Sequence, residues 1–490
     1  MSYSIELKDA FKQFTLDQDK VISPEETVSR FKEKLKSVDL DILESVVRID
    51  NGRLDIPVYF SICGQDAQSI IGTQKQMGKG ATPQQAHASA VMELAERFSF
   101  FSFCKNPDNF KTATHQDLKE KKIEFDQIAK SVHDESDDLA ISREFYETLP
   151  MKWTRAYNLT RREAVWVPFD WFFTINEFNG PSAGNCVEEA VLQGICEIVE
   201  RHVCSLISQG QIRVPAIRPD SAMDPMVNEM LKKYNHAGIN VYLSDFTQDM
   251  GIPSVGVMAY DPGSFPEKSE IVWTAGTTPC PEKALSRALT ETAQLAGDFN
   301  TSSNYVASGL PKFTQLKDAQ YILSPARSVT VGDLPDLSNN NIRIEVENCL
   351  QALSQRNMDV YAIDTRHDRL DIPAFYTIIP GSHFRERALG TSVTMFCAKI
   401  ISEKNPPFLA FSKLQEMDKK LPGKYFLQFY MGNCLLSLGD PESALKHFNS
   451  AVDLDPTDQD IPTLYSYMGV CLKDMGKYRE ALSVLQRGAD

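Results

Sequence analysis

The chain has 490 residues, 42% hydrophobic and 24% charged, an ordinary globular composition long enough for two or three domains with a sizeable core. Its formal charge of −15 argues against a nucleic-acid polyanion as main partner, since phosphate binding needs clustered Lys and Arg. No apolar run reaches the roughly 18 residues of a membrane span, and the N-terminus lacks a basic flank before an apolar core, so the chain reads as cytoplasmic.

Ser23-Pro24-Glu25-Glu26 supplies a cap, a first helical position and an acidic first turn for a helix to about Val38. DIPVYFSICG (55–64) and SIIGTQKQMG (69–78) have strand composition, and helical spacing runs from Gly80 through Phe98. Residues 105–150 are charged and poor in apolar runs, which predicts an exposed helical excursion. WTRAYNL and AVWVPFDWFFTI read as strands, followed by a turn (179–185) and a second long helix to about Ser208. The order repeats with strands VGVMAYD and EIVWTAGT before a third helix, 281–297. A further helix and the strands VYAIDT and AFYTIIPG close an α/β domain, 1–400. After Pro406-Pro407 the pattern is wholly helical, giving a second domain over 408–490. There, Gly432 and Gly469, Gly439 and Gly476, and Ala444 and Ala481 pair at a shift of 37, which resembles tetratricopeptide repeats. The ten cysteines are scattered with no C-x-x-C pair and read as reduced, structural thiols.

A second repeat carries the chemistry. GATPQQAHASAVMELAER, GNCVEEAVLQGICEIVER and TPCPEKALSRALTETAQL align at shifts of 104 and 94. With Ala86, Ala190 and Ala284 in register, Ser89, Gln193 and Arg287 coincide, as do Glu93, Glu197 and Glu291, and Glu96, Glu200 and Gln294. Positions i, i+4 and i+7 share a helix face, so each helix shows a polar stripe where a core-facing helix would show Leu or Val. Helix-surface salt bridges are the alternative; three stripes in register weigh against it. The five stripe glutamates, with Glu189 one turn upstream of the second set, outnumber Arg97, Arg201 and Arg287. A divalent cation resolves the imbalance, and oxygen-only ligands favour Mg²⁺ arriving with substrate phosphates. There is no Walker A sequence and no kinase Gly-rich loop, while Gly78-Lys79-Gly80 puts backbone N–H groups and one cation at a helix start, with a plain strand-to-helix connection as the alternative reading.

These residues resemble the YcaO family of ATP-dependent peptide-backbone-modifying enzymes over roughly 20–400. Ser89, Glu93, Glu96 and Arg97 match its first signature, Ser182, Asn185, Glu189, Glu197, Glu200 and Arg201 its second, and Arg287 and Glu291 its third. Lys20 and Thr27 match a looser N-terminal pair. The resemblance implies a YcaO-like α/β (α+β) catalytic domain of repeated strand-to-helix units, followed by an all-α tail. It implies ATP and Mg²⁺ as cofactors. Glu93, Glu96, Glu189, Glu197, Glu200 and Glu291 become metal ligands; Lys20, Thr27, Lys79, Ser89, Glu93, Arg97, Ser182, Asn185, Glu197, Arg201, Arg287 and Glu291 become nucleotide contacts. Two departures stand out: His202 replaces the usual Asp, and the Pro-x-Pro-x-Pro terminus of azoline-forming members is missing. The second favours the branch that includes a factor linked to methylthiolation of a small-subunit ribosomal protein.

The implied reaction is O-phosphorylation of a peptide-backbone amide, opening it to a nucleophile and leading to a thioamide, an azoline or a related group, with no covalent protein nucleophile. His87, His202 and His383 are weighed as bases and Cys196 as a thiol, and each reads more readily as structural. Implied partners are a peptide or protein substrate, a sulfur-delivering or TfuA-like protein, a protein bound through the repeats, and a second copy of the chain. A nucleotide-binding adaptor supporting ribosomal-protein methylthiolation is the alternative function.

Overall fold

The computed structural model describes residues 3–300, 309–384 and 391–489, and the chain divides into two compact units. The first comprises 1–110, 155–165 and 176–385; the second comprises 111–154, 166–175 and 386–490.

Three sheets build the first unit. Strand β1 (Lys75–Lys79) lies at the edge of an antiparallel sheet behind Val58–Cys63 and Leu43–Arg48. β2 (Pro181–Ala183) pairs antiparallel with Ala374–Ile378, which pairs with Tyr361–Asp364. β3 (Val272–Thr277) is the edge of a five-stranded sheet, pairing with Ser254–Tyr260. Each of these edge strands feeds a helix: α1 (Pro83–Lys105), α2 (Val187–Gly210) and α3 (Pro281–Ala296). α1 starts on a Thr82 cap with Pro83 in the first turn, and Pro281 opens α3 in the same way.

Each helix lies so close to its strand that the crossing admits one side chain fewer than usual. A Cβ on Gly78 would stand 2.0 Å from the Ala90 nitrogen, and one on Gly276 would stand 2.7 Å from the Ala288 nitrogen. In the middle unit the small residue has changed sides. Ser182 occupies the strand position equivalent to Gly78 and Gly276, and Gly194 replaces the helical alanine, with a Cβ there only 2.9 Å from Ser182 Oγ. The helices also close a cycle, since α1 contacts β2, α2 contacts β3 and α3 contacts β1. The three polar stripes therefore face one centre.

In the second unit, residues 105–150 were expected to be an exposed excursion. Instead Phe125–Ser131 and Leu139–Thr148 bury Ile128 and Tyr146 completely, and Ser142 Oγ lies 2.6 Å from Thr394 Oγ1. Charges on the outer faces of short helices hid the apolar inner ones. The tail forms paired helices, Tyr425–Ser437 with Pro441–Val452 and Ile461–Asp474 with Tyr478–Ala489. Gly432 lies against Phe448 and Gly469 against Leu485, the close approach that the repeat spacing predicts.

Two strand readings are corrected. SIIGTQKQMG begins inside the helix Gln65–Ile71, which stops at Gly72 (φ 79°), and only Lys75 onward is strand. AVWVPFDWFFTI is strand to Pro168 and then helix Phe169–Asn176. No helix among the described residues is long and apolar enough to cross a membrane.

Candidate functional site

Where the three helices converge, charged and polar side chains share a small, mostly shielded space; those of Lys79, Glu96, Arg97, Glu197, Glu200, Arg201, Arg287 and Glu291 keep only 3–22% of their surface exposed. The contacts follow the cycle. Lys79 on β1 pairs with Glu291 on α3. Glu200 on α2 accepts from the Thr277 amide on β3 at 3.1 Å, and its carboxylate lies 3.4 Å from Arg201 Nη1 and 3.5 Å from Arg287 Nε. Arg287 also donates to Gln193 Oε1 at 3.1 Å, Glu197 stands 3.7 Å from Arg201, and Glu96 stands 3.5 Å from Arg97. The Lys79 amide donates to Ser89 Oγ at 3.3 Å, tying the first stripe to its strand.

Glu93 makes no hydrogen bond or ion pair with any described residue, although it lines the cleft in the middle of this cluster. Burial raises its pKa and the neighbouring Glu197 adds to this, against Arg97 and Lys79. Burial also drives Glu96 well above the usual carboxylate range, with Glu197 and Glu93 contributing. The Lys79 ammonium is pushed down by burial and by Arg287 and Arg201, despite the Glu291 contact and the fields of Glu200 and Glu93. Burial is the leading cause in all three, so the cleft disfavours both signs of charge alike.

The cleft holds about 180 Å³ and is lined by Lys20, Thr27, Lys79, Ser89, Glu93, Glu96, Asn185, Glu189 and Arg287, among the expected residues. Glu197, Glu200, Arg201 and Glu291 stand behind this lining in the ion-pair network, and Arg97 reaches from Glu96 toward the Phe178 carbonyl at 3.5 Å. Ser182 is different. It is fully buried at the strand–helix crossing, is not among the residues that line the cleft, and its hydroxyl has no hydrogen-bond partner among the described residues. Packing accounts for its place at the crossing.

Glu189 is committed elsewhere as well: it accepts from the Val21 amide at 2.7 Å and from the Asn185 amide and side chain at 3.0 Å each, with Lys20 at 3.8 Å. It clamps an N-terminal strap, residues 8–21, that carries Lys20 into the cleft. The strap is pinned along its length. Lys12 binds Asp19 at 2.7 Å and Glu345 at 2.5 Å, Lys283 donates to the Thr15 and Leu16 carbonyls, and Asp17 accepts from Ala81 and Thr82 amides at 2.6 and 3.3 Å. Sequence reasoning missed this strap and Gln18, which also lines the cleft, because strap partners lying 64 to 333 residues apart leave no local periodicity.

His87 stacks on Tyr59 outside the cleft. His202 is buried and its Nδ1 accepts from the His383 amide at 3.0 Å, with the two rings 5.4 Å apart; this is a structural role, and Arg385 and Arg387 lie outside the described residues. Cys196 is buried beside Cys349.

The donor set suits a divalent cation with phosphates. Among the described residues no three carboxylate, His or Cys groups form a ready-made cage; Mg²⁺ needs only one or two carboxylates when phosphates and water complete its shell. Neither Glu93 nor Glu96 makes a side-chain hydrogen bond with a described residue, and Arg287 and Lys79 line the same cleft.

Comparison with known proteins bears on the same residues. The family model "YcaO cyclodehydratase, ATP- and Mg²⁺-binding" matches residues 77–383, and a tetratricopeptide-repeat model matches 425–458. An uncharacterised protein of Methanothermobacter thermautotrophicus is 29% identical over 74% of the chain and 94% of its own length. The ribosomal protein S12 methylthiotransferase accessory factor YcaO of Escherichia coli is 24% identical over 74% of the chain and 69% of its own. Among solved structures, a heterocyclase in complex with substrate and cofactor superposes with a TM-score of 0.64 at 22% identity, over 78% of this chain; the chain spans about half of that protein's length (55%). YcaO from Methanopyrus kandleri bound with AMPPCP and Mg²⁺ superposes with a TM-score of 0.58 at 22% identity, over 77% of this chain and 95% of that one.

Proposed function

Because the chain belongs to the YcaO family, whose ligands are ATP and Mg²⁺, we propose that it is an ATP-dependent enzyme that activates a backbone amide of a peptide or protein by O-phosphorylation. Glu93 carries this reading: a carboxylate with no hydrogen bond or ion pair to a described residue, in a cleft that Arg287 and Lys79 also line, suits a metal–phosphate pair. When bound, Mg·ATP supplies the γ-phosphoryl group, which the amide oxygen takes, so that a nucleophile adds to the carbonyl carbon and inorganic phosphate departs with the former oxygen.

The chain's own work is positional. Glu93 and Glu96, backed by Glu197, Glu200 and Glu291, hold the metal side; Arg287, Lys79 and Arg201 offset phosphate charge; Ser89, Asn185, Lys20 and Thr27 edge the cleft. No side chain is required as a covalent nucleophile. The methylthiotransferase accessory factor among the relatives and the repeat match in the tail support a second reading. In it, the chain works in the cytoplasm as a nucleotide-binding adaptor, the 408–490 helices dock a protein such as a sulfur-delivering or TfuA-like partner, and copies of the chain pair.

The test is Mg²⁺-dependent ATP consumption by the wild type beside Glu93→Gln and Glu197→Gln, with candidate peptides and with or without sulfide. Peptide-stimulated turnover that both variants lose supports the enzyme. No hydrolysis and no nucleotide binding under any condition sinks it and leaves the adaptor.

A further inference from the structure

A cavity of about 1030 Å³ in the first unit is separate from the nucleotide cleft. Residues Ser4–Asp9 form one wall; Tyr157, Leu159 and Leu350 form the apolar part of the other, beside Gln351 and Ser354 of α4 (Ile342–Ser354). The chain is pinned at both ends of that wall. The Tyr3 hydroxyl accepts from the Asp364 amide at 3.0 Å, and the Lys8 amide donates to Glu188 Oε1 at 2.5 Å. Between the pins, the main chain of Ser4, Ile5, Glu6 and Leu7 makes no hydrogen bond with any described residue, although the Ile5 side chain is buried.

Charge does not select the occupant. Lys8, Arg162 and Arg343 face Glu6, Asp9 and Glu347, and Arg343 already binds Asp9 at 2.9 Å and Glu347 at 3.0 Å. A groove without net charge does not recruit a phosphate. What it offers is four consecutive residues of held-open, unpaired backbone beside an apolar floor, which is the chemistry of strand addition.

We propose that this groove binds an extended peptide segment, main chain to main chain along Ser4–Leu7, with alternate side chains against Tyr157, Leu159 and Leu350. The inference rests on the reading of the substrate as a peptide and assigns where it is held. Recognition through backbone tolerates varied sequence. The groove is also joined to the cleft by covalent continuity: the strap that begins at Lys8 ends at Lys20, and Glu188, which anchors its start, adjoins Glu189, which anchors its end.

The probe is a capped ten-residue peptide of alternating Thr and Val with terminal Lys, and its counterpart methylated on every backbone nitrogen. Both are added without nucleotide to the full-length protein, which is read by hydrogen exchange and, with a fluorescent label, by anisotropy. The unmethylated peptide slows exchange of one alternate pair of amides, Ser4 and Glu6 or Ile5 and Leu7, at least tenfold, and the methylated one binds at least tenfold more weakly. Gln351→Arg and Ser354→Arg, both at exposed positions, weaken the peptide at least tenfold while Mg·ATP affinity stays the same. Unprotected amides, equal binding of the methylated peptide, or unchanged binding by both variants overturns the proposal. Glu93→Gln keeps peptide binding, so a failure of the amide-activation reading and a failure here appear in separate measurements.

Discussion

Gly78→Ala tests the geometry that brings the first stripe into the ring. The new methyl would stand 2.0 Å from the Ala90 nitrogen and 2.5 Å from both the Ala86 carbonyl oxygen and Ala90 Cα. All three are backbone atoms, so no side chain can swing aside. Restoring an ordinary separation of about 3.5 Å moves α1 by more than ~1 Å. Its opposite face has nowhere to go, because Val91, Leu94 and Phe98 are packed with Phe31 and Ile42. Overpacking of this kind costs about 1–3 kcal/mol, and the entropy removed from the unfolded chain returns ~0.5–1 kcal/mol. The net loss is about 1–2 kcal/mol. Gly332→Ala is the comparator, since its nearest neighbour is Thr330 Oγ1 at 3.8 Å. Hydrogen exchange across 83–98 in increasing urea follows the local loss directly, without assuming that a two-unit chain unfolds in one step. Mg·ATP affinity should fall together with protection, because Ser89, Glu93 and Glu96 ride on α1. Equal protection in the two variants would refute the close crossing.

Three further outcomes are expected. Asp17 is fully buried with its pKa raised to about 6 from 3.8, chiefly by burial, and Oδ1 has no hydrogen-bond partner. A carboxyl raised in the folded state costs stability when ionised. Asp17→Asn therefore gains up to about 3 kcal/mol over wild type above pH 7, and the gain fades as pH falls through 6 toward 4; a pH-independent difference in denaturation midpoint would be the contrary result. Ser182→Ala removes a hydroxyl with no hydrogen-bond partner, so stability holds or rises slightly and the KM for ATP changes less than about twofold, whereas a tenfold rise would return Ser182 to the nucleotide site. Glu189→Gln sets an amide NH₂ against either the Val21 amide or the two Asn185 donors; strap cleavage by protease should accelerate and the KM for ATP rise about tenfold or more, and an unchanged protease pattern would show that the clamp is dispensable.

Much of this architecture was legible because it is local. Ser23-Pro24 starts a helix that ends at Val38, and Pro281 starts one that ends at Ala296, as cap and period predict. The three stripes were visible because a polar residue on an otherwise apolar helix needs a partner. What stayed hidden is held by distance. Lys12 and Glu345 mean nothing apart, and they meet only after 333 residues. A motif records that Ser182 recurs, while its packing in place of a glycine appears only when Gly194 is seen beneath it.

A scaffold that repeats itself three times around a centre would let a visitor enter in three equivalent poses. Here the repeats disagree: one position holds Ser89, Gln193 and Arg287 in turn, and another holds Glu96, Glu200 and Gln294. The first is neutral in two units and cationic in the third; the second is acidic in two and neutral in the third. With Glu291 counted, one stripe is thus neutral while the other two stay negative, and a guest that is metal-bearing at one end and anionic at the other has a single way to sit. The broken symmetry gives the pseudo-ring its compass.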